Sequence, residues 1–277
     1  MPTLRPMLPT DVDAATEMIL SNHWGVRREW LQLATTQPAC VPMVAVEDGA
    51  IVGTGVGTAN GLVGWIGTIF IEPAWRGQGL GRAITQSIID LLDSAGCRTL
   101  VLVATSEGRR LYERMGFDVQ TRYRILEAPG LPAATTGSAS AVRAFRPDDL
   151  DAMCSIDRDG TGEDRGHILR RLATPETARV AVEDGEVAGF VIRAPWGGGA
   201  TVARSTDAAL AIIGARRVAS GPSGRVRVGL LQENANGFER LEALGFAPSW
   251  SAPRMVRGEP MDWHSEWIWG QFNHAVG

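Results

Sequence analysis

The sequence contains no lysine; all 27 of its basic residues are arginine. That absence excludes Schiff-base chemistry on a lysine and a GxxxxGKS phosphate loop, and it leaves no lysine for an acyl donor to modify. Cysteine is scarce as well. Cys40, Cys97 and Cys154 are widely spaced and odd in number, so neither a disulfide framework nor a CxxC metal site is expected. Free thiols in a reducing cytoplasm are the simplest reading. No run approaches the roughly 20 apolar residues of a membrane span. The opening "MPTLRPMLPTDVD" also lacks the basic start and apolar stretch of a signal peptide. The net charge of −4 disfavours general nucleic-acid binding, although a local basic groove stays open. What is there is ordinary for a globular protein: 277 residues, 44% hydrophobic and 21% charged, enough for two domains.

One hexapeptide, "VAVEDG", occurs twice, at Val44–Gly49 and Val180–Gly185. The match extends on both sides. "RPMLPTDVDAA" (Arg5–Ala15) parallels "RAFRPDDLDAM" (Arg143–Met153), and "YERMGF" (Tyr112–Phe117) parallels "LEALGF" (Leu241–Phe246). Three matches in one order, at offsets near 136, mark a duplication. Between the copies lies "APGLPAATTGSASA", small and turn-rich, as interdomain linkers are. The expected organisation is therefore a domain at 1–127, a linker at 128–141 and a second domain at 142–277.

Each half reads as α+β. In the first, a helix over Asp11–Ser21 is expected after Thr10 as its cap, then a strand in "PMVAVED". The apolar runs "IVGTGVGTA" and "GWIGTIFIE" are separated by Asn60-Gly61, a hairpin signal. The spacing of Ile84, Ile88, Leu91 and Leu92 predicts a helix from about Gly81 to Ala95. A strand in "TLVLVAT" and a short helix in "GRRLYERMG", closed by Gly116, complete the half. "GTGVG" (Gly53–Gly57) has no helix after it and reads as structural. The fold class is two tandem α+β domains, each a mixed, mostly antiparallel sheet flanked by helices.

The most informative segment is "IFIEPAWRGQGLGRAIT" (Ile69–Thr85), an apolar strand, a turn and three glycines directly before a helix. Such glycines let consecutive backbone N–H groups point inward, and the helix start adds unpaired donors and a positive dipole end. Arg76 and Arg82 add charge-assisted hydrogen bonds, which makes this a site for phosphate oxygens. "RGQGLG" lacks the first glycine of a dinucleotide fingerprint. It fits Arg/Gln-x-x-Gly-x-Gly/Ala, and here the sequence resembles the GCN5-related N-acetyltransferase (GNAT) family. The downstream "TSEGRRLYERMGF" extends that resemblance across the first half.

The resemblance implies that acetyl-coenzyme A is the acyl donor. Its pyrophosphate would rest on Arg76, Gly77, Gln78, Gly79, Leu80, Gly81 and Arg82, and its pantetheine arm along Ile69, Phe70 and Ile71. Thr105 stands where the family often has Asn, with one cofactor contact weakened. Tyr112 would protonate the departing thiolate. The loop "SNHWGVRREW" corresponds to the segment that covers the acceptor, so His23, Trp24 and Trp30 are candidates to line that pocket. A general base is not evident.

The second half keeps the framework and loses the loop. It passes from "TVAR" into "STDAALAII" without glycines, and the offset drops from 136 at "VAVEDG" to 129 at "GF". Leu241 replaces Tyr112, while Asn234 stands opposite Thr105. This predicts a degenerate GNAT-like domain. Asp157, Glu163 and Asp164 in its acceptor-side loop offer charge to a cationic amine, and "PWGGG" reads as a hairpin turn. The aromatic "MDWHSEWIWGQF" reads as strand and packing. The expected function is an N-acyltransferase with a small-molecule amine as acceptor and no membrane partner, in a monomer or homodimer. The competing classes are a coenzyme A-binding regulator without turnover and an acyltransferase that uses an aminoacyl-tRNA-type substrate.

Overall fold

The computed structural model of the chain describes residues 2–133 and 141–277; the middle of the expected linker, residues 134–140, lies outside them. The first half contains β1 (Thr3–Pro6), α1 (Val12–Ser21), α2 (Arg28–Ala34), β2 (Cys40–Glu47), β3 (Ala50–Asn60), β4 (Val63–Ile71), α3 (Leu80–Ser94), β5 (Thr99–Val103), α4 (Arg109–Glu113) and β6 (Asp118–Pro129). The second contains β7 (Ala141–Ala144), α5 (Leu150–Thr161), α6 (Gly166–Leu172), β8 (Ala178–Glu183), β9 (Glu186–Arg193), β10 (Gly199–Ala203), α7 (Thr206–Ser220), β11 (Arg225–Leu231), α8 (Ala235–Ala243), β12 (Ala247–Gly258) and β13 (Ile268–Gly270). The same order of elements appears twice, as the repeat requires. The final strand β13 is an addition peculiar to the second half.

Local structure follows the residues. The amphipathic α3 buries Ile84, Ile88, Ile89 and Leu92 on β3, where glycines alternate. A Cβ on Gly55 would come within 2.8 Å of Ile84, Ile69 and Ile88, so "GTGVG" is smooth because a helix lies on it. The first helix differs from expectation at its start. Pro9–Asp11 forms a 3-10 turn, and the Asp11 carboxylate, not Thr10, accepts the Leu8 N–H at 2.7 Å while it pairs with Arg5. The second half repeats this device with Asp149, Arg143 and the Arg146 N–H. The Asn60-Gly61 hairpin forms, with Gly61 at φ +68°.

The halves are interlocked, not merely packed side by side. Eight strands form one sheet in the order β1-β2-β3-β4-β5-β12-β6-β11, so the second half's β12 lies between the first half's β5 and β6. In return, β6 pairs with β11. A second sheet runs β13-β10-β9-β8-β7. Consistent with this exchange, one apolar core draws Trp30, Val44 and Phe70 from the first half together with Phe190, Phe272 and Val276 from the second. Thr58 and Asn60 of β3 also donate to the carbonyls of Ala275 and Val276 at 2.7 and 3.0 Å. The α3 helix covers β2, β3 and β4 of the large sheet, and α7 covers the second sheet together with β11. The chain's C-terminal residues fill the groove on the other face, between the two helix pairs α1/α2 and α5/α6.

Candidate active site

The strands β4 and β5 are parallel neighbours only over Val63–Ile66 and Thr99–Leu102. Beyond Ile66 they separate. The cause lies in β4, where Thr68 adopts φ +53°, a costly conformation for a β-branched residue, and a bulge shifts the register with β3. The Trp30 indole N–H donates to the Thr68 hydroxyl at 3.0 Å, and the Thr54 hydroxyl donates to the Thr68 carbonyl at 3.0 Å. Strain of this kind persists where its surroundings over-determine it, and it marks functional sites. Here it turns the edge of Gly67–Ile71 toward an open slot.

The Gly-rich turn closes one end of that slot. Gly77 and Gly79 have φ of +76° and +83°, and α3 begins at Leu80 with Gly79 as an N-cap that has no side chain to satisfy the first N–H groups. The N–H groups at the head of α3 therefore face solvent as free donors beside the positive end of the helix dipole. The Arg76 Nε donates to the Ile71 carbonyl at 3.0 Å, which ties the turn to the end of β4.

Slot and turn belong to one cleft of about 1610 Å³ that continues into the second half. Its lining carries ten arginines and three glutamates, in a chain whose net charge is −4. An acidic protein thus concentrates positive potential in one groove, as an anionic ligand requires. The backbone donors at 79–82, the arginines and the splayed strands together fit a pyrophosphate with an extended arm.

Tyr112 lines the slot from α4. It is 8% exposed, and burial pushes its phenol up to about 12, so it stays protonated at neutral pH. Its ring packs edge-on against Phe117 at 6.2 Å. The Thr105 hydroxyl accepts the Gly108 N–H at 3.1 Å, and the Asn234 side chain accepts the Gly237 N–H at 2.9 Å in the second half. Thr and Asn are exchangeable here because both cap the turn into the following helix.

The structure brings Ile69, Phe70, Ile71, Arg76, Gly77, Gly79, Leu80, Gly81, Arg82, Thr105, Tyr112, Trp24 and Trp30 to the cleft, but not Gln78 or His23. Gln78 folds back and donates to the Ala74 carbonyl. His23 is exposed in a left-handed turn after α1. Trp24 sits at the mouth, edge-on to Phe70 at 5.3 Å, whereas Trp30 is a buried support of the bulge. The acidic residues expected to face an amine do not line the cleft either. Asp157 forms a buried pair with Arg165 at 2.5 Å, Glu163 accepts from Asn60 at 2.7 Å, and Asp164 pairs with Arg158. Of these three side chains, Glu163 bonds across the junction between the halves.

Sequence reasoning missed His274, Arg27 and Trp250, which lie along the same cleft. His274 comes from the far end of the chain, stacked on Tyr123 at 5.4 Å with Trp250 edge-on at 5.6 Å. Burial, with Arg27 nearby, pushes its imidazole down to about 4. No local motif announces it.

In the second half the corresponding features are closed. Ser205 caps α7, its hydroxyl accepting the Ala208 N–H at 3.0 Å while it donates to the Glu183 carboxylate at 2.8 Å. A capped helix start beside a carboxylate is a poor phosphate site. The place beside β10 is taken by β13, whose Trp269 is 1% exposed and packs with Val228 and Leu230 of β11. Leu241, opposite Tyr112, is fully buried in that core.

Comparison with known proteins shows the family and the fold. The profile of the Acetyltransferase (GNAT) family matches residues 10–117, and that of an Acetyltransferase (GNAT) domain matches residues 153–270. The chain is 27% identical over 187 residues to the uncharacterised N-acetyltransferase YitH of Bacillus subtilis (strain 168), a match that spans 65% of each protein. It superposes on a candidate acetyltransferase of Pyrococcus horikoshii with a TM-score of 0.82 at 19% identity, covering 99% of this chain and 95% of the other. A tandem GNAT protein from the clavulanic acid biosynthesis pathway gives 0.62 at 16% identity, covering 95% and 100%. No helix among the described residues is long and apolar enough to cross a membrane. The chain belongs to the acetyltransferase (GNAT) family, with two GNAT domains in tandem.

Proposed function

We propose that the protein is an acyl-coenzyme A-dependent N-acyltransferase that moves an acetyl group from acetyl-coenzyme A to the primary amine of a small molecule. The chemistry lies in the domain at 1–127, and the domain at 142–277 is degenerate. The observation that carries this reading is the uncapped start of α3 at the end of a splayed β4–β5 pair, inside an arginine-lined cleft.

The bound donor supplies an activated acyl carbon as its thioester. The chain's own groups do the rest. Backbone N–H groups at Gly79–Arg82, with Arg76 and Arg82, hold the pyrophosphate. The unpaired edge of β4 orients the pantetheine arm and polarises the thioester carbonyl. Tyr112 gives its proton to the leaving thiolate. An ammonium must lose its proton before the nitrogen attacks, and Arg27, on the cleft beside His274, lowers an ammonium pKa by like-charge repulsion, so free amine is available without a dedicated carboxylate. His274 is held neutral at pH 7, and the proton that the nitrogen sheds as the amide forms passes to solvent while Tyr112 recovers its own. A partial relative, 31% identical over 65 residues, is the glucosamine 6-phosphate N-acetyltransferase of Trypanosoma brucei brucei; its name supports an amine as the acceptor class.

The direct test follows thiol release from acetyl-coenzyme A across a panel of primary amines. Amine-dependent release is expected. Tight coenzyme A binding with no release for any amine would make the protein a coenzyme A-binding regulator and overturn the proposal.

A further inference from the structure

The far end of the cleft carries a pair of arginines that the proposed chemistry does not use. Extending the "VAVEDG" register places Arg193 of β9 opposite Gly57 of β3. Matching the buried faces of the two long helices places Ala208, Ile212 and Arg216 opposite Ile84, Ile88 and Leu92. In the first half, Leu92 is fully buried and reaches within 3.3 Å of a Cβ placed on Gly57. A tight apolar contact in one copy is thus a pair of arginines in the other, and the space around them opens into the cleft.

Arg216 is largely buried, and Arg193 stands exposed beside it. Among the described residues, neither Arg193 nor Arg216 forms an ion pair. Arg216 donates through one Nη to the Arg227 carbonyl at 2.9 Å, and its other Nη is buried without a hydrogen-bond partner. Its neighbour Arg217 shows what a structural arginine looks like here. Arg217 donates to the Pro129 and Leu244 carbonyls at 3.0 and 2.8 Å and lies over the Phe246 ring. Burial and the nearby Arg193 push the Arg216 guanidinium down to about 10. The surroundings add positive charge. Arg179 donates to backbone carbonyls, Arg225 and Arg227 share the single Glu127, and Glu176 is exposed at the rim. A buried donor left unpaired costs free energy that a bound acceptor recovers.

We propose that Arg193 and Arg216 form a second anion seat, for a phosphate or carboxylate group, in the second domain. It lies away from the start of α7, which Ser205 caps. Its Arg216 reaches the Arg227 carbonyl of β11, and β12 and β6 separate β11 from β5 of the thioester slot. The anion is either the distal group of an extended acceptor or a free effector. The inference rests on the proposed function only in assigning the other end of the cleft to coenzyme A.

The test saturates the full chain with coenzyme A, so that the α3 loop is filled, and then titrates inorganic phosphate by calorimetry. Failure of the first step counts against the proposed function, and failure of the second against this seat. One phosphate per chain is expected. Arg216→Leu, which installs the first half's residue, should weaken it by at least about 10-fold while coenzyme A affinity and folding are retained, and Arg216→Lys should keep most of it. No phosphate uptake by the wild type at millimolar concentration, or equal uptake by Arg216→Leu, overturns the proposal. The source follows from amine pairs with and without a terminal phosphate. Preference for the phosphorylated member that vanishes in Arg216→Leu identifies the acceptor's own group. A rate change caused by added phosphate for both members, absent in Arg216→Leu, identifies a free effector.

Discussion

Replacing Tyr112 with phenylalanine is expected to lower kcat by roughly 10- to 10⁴-fold while acetyl-coenzyme A affinity stays near that of the wild type. The ring is buried and packs edge-on against Phe117, and phenylalanine preserves that packing. Only the hydroxyl is lost. With its phenol held up to about 12, Tyr112 carries its proton throughout the working range. It should therefore contribute no alkaline limb to the pH profile of kcat at ordinary assay pH. Steady-state kinetics with product thiol as the readout gives both quantities. Unchanged turnover in a folded variant would remove Tyr112 from the reaction.

The other large effect is expected at Gly79. A valine there meets no neighbour, because nothing lies within 4 Å of a Cβ at that position. The damage comes from two other sources. A β-branched residue resists φ +83°, so the turn shifts, and the side chain occupies the space in front of the free N–H groups of α3. Acetyl-coenzyme A affinity should fall by at least about 100-fold, since several charge-assisted hydrogen bonds weaken together. Gly185 is the control. It has φ +86° and equally open surroundings, but it sits in the β8–β9 hairpin away from the cleft. Gly185→Val should destabilise the fold comparably and leave affinity unchanged. If both variants bind equally well, the turn is not the phosphate site.

What could be read from the sequence is what lies close together in it. "RGQGLG" is contiguous, and its glycines and helix start act through their own backbone, so the motif predicted the turn and the uncapped helix. The two halves share dipeptides and offsets, and the duplicated element order follows. The exchange of β6 and β12 was not legible, because pairing between strands over 100 residues apart leaves no periodicity in either strand. For the same reason His274 was invisible: it reaches the slot only because the C-terminal segment crosses to the first half. The acidic loop of the second half misled because charge type alone does not say whether a side chain faces a ligand or a buried arginine. Arg216 was within reach. It recurs four residues after Ile212 on the apolar face of α7, and an arginine at such a position calls for an explanation.

The central claim is one duplication with two outcomes: an open cofactor site in the first domain and a closed one in the second. It is tested most directly by titrating the full-length chain with acetyl-coenzyme A by calorimetry and counting sites, in the wild type and in Gly79→Val. The second domain's helix start is capped by Ser205 beside Glu183, and the edge of β10 is occupied by β13, so a carboxylate and a strand stand where the first domain has its open turn and slot. The account predicts one molecule bound per chain and a site that Gly79→Val abolishes. Two comparable sites per chain, or a single site that Gly79→Val leaves intact, would contradict it.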